Sequence, residues 1–380
     1  MAIDPGLMPT PPMGFNTWNR FGMHIDEQLV LDTIEVMSTS GLQDAGYRYV
    51  NIDDGWMAPE RDAKGRLTPD PERFAGGIRR LADAAHAAGL NLGIYSDCGT
   101  KTCGGLPASF GHERIDAQTF AEWDVDYLKH DWCNVPLDQF PDKTEAEVAE
   151  MLYTRMSEAL VETGRPIVLS MCNWGHGFSW EWARGIGHLW RTTGDITDLY
   201  RGRWKNSLGM VDIFHRNLVL ADFAGPGGFN DPDMLEVGNG HMTDTEYRSH
   251  FALWCLMAAP LLIGCDIRSM SDETRAILTN ARLIAVDQDS LGVQGRLVAS
   301  QQGVSVLRKP LRDGSVALGA FNERDQDSAV DWDWNGITGL DAGTLRATDL
   351  WTGAESSVSG SADLTVPAHA TLVFRVSAAR

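Results

Sequence analysis

Acidic side chains stand at the ends of short apolar runs throughout the first three quarters of the sequence. Asp53 and Asp54 follow Val50-Asn51-Ile52, Asp97 follows Gly93-Ile94-Tyr95-Ser96, and Asp131 follows Tyr127-Leu128-Lys129-His130. Asp195 closes Arg191-Thr192-Thr193-Gly194, and Asp231 and Asp233 close the run that begins at Gly227. Carboxylates brought together can divide into an acid and a base, hold a divalent cation, or accept hydrogen bonds from several hydroxyls. One such Asp alone would be read as a helix cap or a turn residue; recurrence at so many run ends points to a shared site. A metal-binding barrel of the amidohydrolase kind needs His-x-His on its first strand. Here that stretch is Phe15, Asn16, Thr17 and Trp18, so no metal is expected. Trp18, Trp56, Trp132 and Trp174 fall at or beside the same run ends. Flat apolar rings next to carboxylates suit the C–H faces and hydroxyls of a sugar. Trp123, Trp182 and Trp190 read as core.

The apolar runs recur about every 35 to 40 positions with amphipathic stretches between them, the pattern of repeated strand-plus-helix units. Eight strands are predicted at 12–18, 49–53, 90–96, 126–131, 166–172, 189–195, 227–231 and 260–264. Helices are predicted at 74–88, 117–123 and 144–163, long enough for right-handed crossovers. The fold class is therefore α/β, a (β/α)8 TIM barrel over residues 1–296 with its site at the carboxyl ends of the strands. Residues 297–380 change character. Short alternating segments at 304–308, 315–321, 329–334, 344–349 and 370–376 predict a small C-terminal antiparallel β-sandwich domain.

Composition agrees with a folded chain of two domains: 380 residues, 43% hydrophobic and 22% charged. The formal charge of −20 repels phosphate backbones and anionic lipid, so neither nucleic acid nor membrane is expected as a partner. The longest apolar run, 251–265, falls short of a bilayer span and is broken by Pro260; it reads as a buried helix entering a buried strand. No basic, apolar leader opens the chain, so a secretory signal is expected to be absent or already removed, and cytoplasmic and secreted origins both stay open. Monomer and small homo-oligomer likewise stay open. None of the six cysteines forms a C-x-x-C pair of the zinc-binding kind.

The assembled motifs resemble glycoside hydrolase family 27, the α-galactosidases and α-N-acetylgalactosaminidases. They are PPMGFNTWNRF at 11–21, VNIDDGW at 50–56, GIYSDCGTKTCGG at 93–105, FGHERIDAQTFAEWDVDYLKHDWCN at 110–134, LWRTTGDITD at 189–198 and GGFNDPDMLEVGNG at 227–240. The resemblance implies a retaining exo-glycosidase that needs no cofactor and acts on galactose-terminated oligosaccharides or glycoconjugates. Asp131 matches the nucleophile and Asp195 the general acid/base, a pair that a retaining enzyme sets about 5–5.5 Å apart. Asp131 is expected to be ionised with help from Lys129, and Asp195 to carry a proton. Asp53 and Asp54 match the pair that grips the sugar's O4 and O6, Trp18 the ring it packs on, and Tyr95 a wall residue. Lys129 and Arg191 match contacts to the O2/O3 edge, with structural ion pairs to barrel carboxylates as the alternative. Asp231 matches an aspartate near the site. Cys103 and Cys133 match a family disulfide on the rim beside the nucleophile.

Two positions depart from the family pattern. Many members carry a Glu after the strand-five Cys172, where it binds O2, and the N-acetylgalactosaminidases carry a small Ser; this chain has Asn173, followed by Trp174. An amide both donates and accepts, so Asn173 is expected to serve a free O2 hydroxyl. Cys98 stands where a small aliphatic residue is commoner, open between pairing with Cys172 and remaining a free thiol. A β-L-arabinopyranosidase or α-N-acetylgalactosaminidase of the same family is the nearest alternative; intact Asp53-Asp54 argues against the first. A non-catalytic sugar-binding protein would lack one of the two catalytic aspartates, and both are present.

Overall fold

The structure is a computed structural model, and it describes residues 3–341 and 343–379. Eight parallel strands form its first sheet: β1 Met13–Asn16, β2 Tyr49–Asn51, β3 Asn91–Asp97, β4 Tyr127–Asp131, β5 Val168–Cys172, β6 Leu189–Arg191, β7 Phe229–Asp231 and β8 Leu261–Ile263. They lie in the order β8-β1-β2-β3-β4-β5-β6-β7. Closure between β7 and β8 runs through Leu235, whose N–H donates to the Leu262 carbonyl and whose carbonyl accepts from Gly264 N. This is the expected (β/α)8 barrel. Strands buried on both faces need near-continuous apolar sequence, and Val168–Cys172 and Leu261–Ile263 are buried at every position. Gly93 is required by close approach: a Cβ there would meet the Asn51 amide oxygen at 1.9 Å.

Helices cover the barrel where predicted, with small shifts. The stretch 144–163 is the helix Glu145–Glu162, opened by a capping box between Thr144 and Glu147, and it buries Val148, Leu152, Met156 and Leu160 at helical spacing. The 74–88 stretch narrows to Ile78–Ala87, and 117–123 grows at its start to Glu113–Glu122. The run 251–265 divides into the end of the helix Asp244–Leu256 and β8. Among the described residues no helix is long and apolar enough to cross a membrane.

After the helix Ala281–Asp287 the chain becomes antiparallel: β9 Arg296–Gln301, β10 Val304–Pro310, β11 Val316–Asn322, β12 Ser328–Asp333, β13 Leu345–Asp349, β14 Glu355–Val358, β15 Ser361–Val366 and β16 Thr371–Ala378. A six-stranded sheet, β9-β10-β11-β16-β13-β14, faces the β12-β15 pair across a second core of Val306, Leu318, Val330, Trp332 and Val376. Along β11 the alternation serves two masters. Val316, Leu318 and Ala320 enter that core, while Ala317 and Phe321 join the barrel's own cluster. A Cβ at Gly319 would meet Leu256 Cδ1 at 2.3 Å, so glycine lets the sheet lie against the helix Asp244–Leu256. Three strands of this domain have no counterpart in the sequence reading: β9, β14 and β15, which are largely exposed.

Candidate active site

Strand register assembles the site. In the parallel ladder Tyr95 pairs with Lys129, Asp97 with Asp131, Asp131 with Cys172, and Arg191 with Asp231. Because side chains alternate, Lys129 and Asp131 share one face of β4, and Tyr95 and Asp97 share one face of β3. His130, between the first two, points the other way, its ring edge-on to Tyr153.

Asp131 is 4% exposed. Its Oδ1 accepts from Trp132 N at 2.9 Å and its Oδ2 from the Tyr95 hydroxyl at 3.2 Å. Burial pushes its carboxyl up to about 6; the charges of Asp195 and Asp53 push the same way, against the pull of Lys129 and the Trp132 N–H. The expected help from Lys129 is thus present but outweighed. The Lys129 ammonium makes its ion pair with Asp53, at 2.8 Å, and sits 5.3 Å over the Tyr95 ring. Burial alone would lower Lys129; the carboxylates of Asp53 and Asp131 hold it well above its ordinary value.

Asp53 also accepts from Asn16 Nδ2 at 2.7 Å, and its N–H donates to Thr17 Oγ1. Asp54 is fixed by Gly55 N at 2.8 Å and Gly104 N at 2.7 Å, and burial raises its carboxyl. Gly104 follows Cys103, which is joined to Cys133 by a disulfide with a Cα–Cα distance of 5.2 Å. The Cys103 sulfur lies 3.9 Å from Asp131 Oδ2. Cys133 N donates to Asp97 Oδ2 at 2.9 Å, so the bridge ties together the loops that hold Asp54 and Asp97. Cys98, Cys172, Cys255 and Cys265 are free and buried, which decides the Cys98 question in favour of a thiol. Among the described residues, Asp97, Cys103, Asp131 and Cys133 converge as potential metal ligands. The disulfide consumes both sulfurs, leaving two carboxylates, fewer ligands than a protein-bound divalent cation usually takes.

On the far side, Arg191 Nη2 pairs with Asp233 at 2.8 Å and Asp195 Oδ1 at 3.1 Å, while Nη1 reaches the Cys172 sulfur at 3.3 Å. Both cations therefore make the structural ion pairs weighed as the alternative to sugar contacts, and both still border the site. Asp195 is 47% exposed in its side chain, unlike Asp131. It lies beyond β6, which ends at Arg191 and not at Asp195 as predicted; β2 likewise stops at Asn51, short of Asp53. Asp231 accepts from Asp233 N at 2.8 Å, and burial lifts its carboxyl to about 6. It is Asp233, not Asp231, that touches Arg191.

Asn173 is spent differently from expectation. Its Nδ2 donates to the His176 carbonyl at 2.6 Å, and its Oδ1 is buried without a partner among the described residues. The turn needs this: Trp174 and Gly175 both have positive φ, 55° and 77°. Trp18 and Trp174 are partly buried. Trp56 and Trp132 are not walls of a sugar pocket. Trp56 is fully buried with its indole N–H on the Tyr95 carbonyl, and Trp132 stacks on Tyr153 and donates to Glu145. Sequence reasoning missed Glu236. It is buried, held by Asn19 Nδ2 and Asn239 Nδ2, with its carboxyl pushed up to about 8 by burial. No apolar run precedes it to mark a strand end.

A barrel whose rim gathers one enclosed and one exposed carboxyl, with further carboxylates and tryptophans around them, defines a glycoside hydrolase. A family profile described as "Alpha galactosidase A" matches residues 10–289, and one described as "Alpha galactosidase C-terminal beta sandwich domain" matches 301–376. The chain belongs to glycoside hydrolase family 27, the α-galactosidase family. It is 46% identical over 372 residues to an α-galactosidase of Cyamopsis tetragonoloba, covering 97% of this chain and 86% of that one. Its structure is similar to α-galactosidase I of Mortierella vinacea, with a TM-score of 0.94, 35% identity and 99% of both chains covered. It is also similar to an α-galactosidase of Saccharomyces cerevisiae solved with raffinose, with a TM-score of 0.92, 29% identity and all of both chains covered.

Proposed function

We propose that this enzyme removes terminal α-D-galactosyl residues by double displacement, with Asp131 as nucleophile and Asp195 as general acid/base. The observation that carries the reading is the contrast between the two carboxyls. Asp131 is enclosed, ionised above about pH 6, and oriented by Trp132 N and Tyr95 OH. Asp195 stands half-open to solvent, with Oδ1 held by Arg191 Nη2 at 3.1 Å, so that it is the carboxyl of the pair that a leaving group or a water can reach. In the first step an Asp131 oxygen bonds to the anomeric carbon, the glycosidic C–O bond breaks, and the Asp195 proton passes to the leaving oxygen. In the second, Asp195 takes a proton from water, whose oxygen displaces Asp131 from the same carbon with the α configuration restored.

Asp53 and Asp54, each fixed by donors on at least one oxygen, offer rigid acceptors to the sugar's hydroxyls, and Trp18 offers an apolar face. Tyr95 and Cys103 lie against Asp131, and Cys172 against Arg191. With Asn173 Nδ2 committed to His176, Asn173 keeps only its Oδ1 as an acceptor for O2, and the donors to O2 and O3 are Lys129 and Arg191. The test is side-by-side turnover of the nitrophenyl glycosides of α-galactose, α-N-acetylgalactosamine and β-L-arabinopyranose, with Asp131→Ala and Asp195→Ala measured alongside. The α-galactoside is expected to be turned over fastest, with α-galactose as first product. Near-wild-type rates in either variant would refute the roles.

A further inference from the structure

Outside the chemistry described above, the rim beyond β5 and β6 carries a cleft of about 550 Å3, well inside the usual range of small-molecule sites. One wall is the turn Trp174–Gly175 with Trp180. Another is the short hairpin of Arg203–Trp204 and Ser207–Leu208, and the third is the end of the helix Met210–Leu218 with Val219. Arg203 and Leu208 are cross-strand partners, so both side chains leave the hairpin on one face, and both line the cleft. The walls are set before any ligand arrives. Leu208 N donates to the Asp195 carbonyl and Gly209 N to the Gly202 carbonyl, each at 2.7 Å, which pins the hairpin. A Cβ on Gly175 would meet the Thr192 carbonyl oxygen at 2.4 Å, so glycine lets the turn lie against the chain leaving β6.

The lining is of two kinds. Trp174, Trp180 and Val219 are apolar; Val219 is 75% exposed, and Phe178, 61% exposed, stands edge-on to Trp180 at 5.6 Å. Large apolar side chains gathered this openly around one concavity mark a place for a ligand. Arg203 and Arg216 are exposed cations, and among the described residues neither side chain makes an ion pair or a hydrogen bond. No Asp or Glu lines the cleft, on a chain whose formal charge is −20. His176, the other titratable residue of the lining, faces Glu145 at 3.3 Å. A guanidinium donates as a fork to a carboxylate, and an indole covers the C–H face of a sugar ring, so the two together fit a sugar that carries its own carboxylate. A long polyanion would meet the chain's net negative charge along its length, whereas one acidic sugar sits within a Debye length of two cations.

We propose that this cleft is an accessory binding site for a uronic acid residue of an acidic saccharide, with Arg203 and Arg216 holding the carboxylate and Trp180 the ring. It uses neither Asp131 nor Asp195, and so stands or falls apart from the function proposed above. The test is titration calorimetry of the whole chain with digalacturonate, with galactose at saturation to keep the ligand out of the barrel pocket. The wild type is expected to bind digalacturonate, and its dimethyl ester at least about tenfold more weakly. Arg203→Ala and Arg216→Ala should each lose about tenfold in affinity, the worth of one charge-assisted hydrogen bond, while turnover of 4-nitrophenyl α-galactoside stays within about twofold of wild type. Both arginines are exposed and unpartnered, so their variants separate binding from folding. No binding of digalacturonate by the wild type, equal binding of the ester or of inorganic phosphate, or unchanged binding in both variants would overturn the assignment. So would a wild type that self-associates and becomes monomeric in Arg203→Ala, which would give the cleft to a second copy of the chain.

Discussion

Replacing Asp131, the proposed nucleophile, should make the protein more stable, by an amount that depends on pH. In the folded chain the Asp131 carboxyl is lifted from 3.8 to about 6, first by burial and then by the charges of Asp195 and Asp53. A carboxyl with a raised folded pKa binds its proton more tightly folded than unfolded, so stability falls as pH rises from about 4 to about 6 and stays reduced above that. Two units correspond to about 3 kcal/mol. Asp131→Asn removes the charge without emptying the space. Its Oδ1 keeps the Trp132 N–H, and the Tyr95 hydroxyl, which also lies 3.5 Å from Asp97 Oδ2, can turn to donate there and accept from the new amide. Near pH 7.5 the variant is therefore expected to gain about 3 kcal/mol. At about 2.1 cal/mol/K per residue over one cooperative unit of the whole chain, that is a rise in Tm of about 4 °C. Below about pH 4 the difference vanishes, because wild-type Asp131 is then protonated in both states. Thermal unfolding of the two proteins across this range is the assay. A variant no more stable than wild type at pH 7.5, or a gain that persists unchanged at pH 4, would show that the carboxylate is not held at such a cost.

The same carboxyl sets the acid limb of activity: kcat/KM for 4-nitrophenyl α-galactoside is expected to fall about tenfold per pH unit below pH 6, and a profile flat down to pH 4.5 would contradict it. Cys133→Ser opens the disulfide loop to Cys103, a sequence separation of 30, and is expected to cost about 4 kcal/mol of stability by chain entropy. It should also raise KM more than it lowers kcat, because Gly104 N no longer steadies Asp54; an unchanged Tm and KM would show that the bridge holds nothing.

The barrel was legible because a strand buried on both faces must be apolar from end to end, and because its chemistry must come at the tip. Leu261–Ile263 shows the first, and Asp131 at the end of Tyr127–Asp131 shows the second. What could not be read was how far a tip residue stands from its strand. Thr192, Thr193 and Gly194 look like more strand, yet the ladder ends at Arg191 and carries Asp195 out to where solvent reaches it. Trp56 and Trp132 misled for the converse reason: proximity to a tip in sequence says nothing of which way a ring turns. Asn173 was read by what an amide can do, whereas the left-handed turn after it commits its Nδ2 to a backbone carbonyl. In the β domain, β9 and β14 meet the second core only through the partly buried Ala299 and Val358, and the rest of each strand is largely exposed.

The rim carries more carboxylates than cations, and the placement of the cations explains why this is tolerable. Had Lys129 or Arg191 bonded Asp131 directly, the proposed nucleophile would be quenched by a partner it must shed before attack. Instead Lys129 bonds Asp53 and acts on Asp131 through space alone, while Arg191 is engaged by Asp233 and Asp195. Asp131 is left with two neutral donors, which orient a carboxylate without neutralising it. The surplus negative charge costs stability while the pocket is empty. It is matched when positive charge grows on the sugar ring in an oxocarbenium-like transition state, where preorganised charge lowers the barrier. The penalty that should make Asp131→Asn more stable and the field that should make Asp131 reactive are therefore one feature of the site seen at two stages of the reaction.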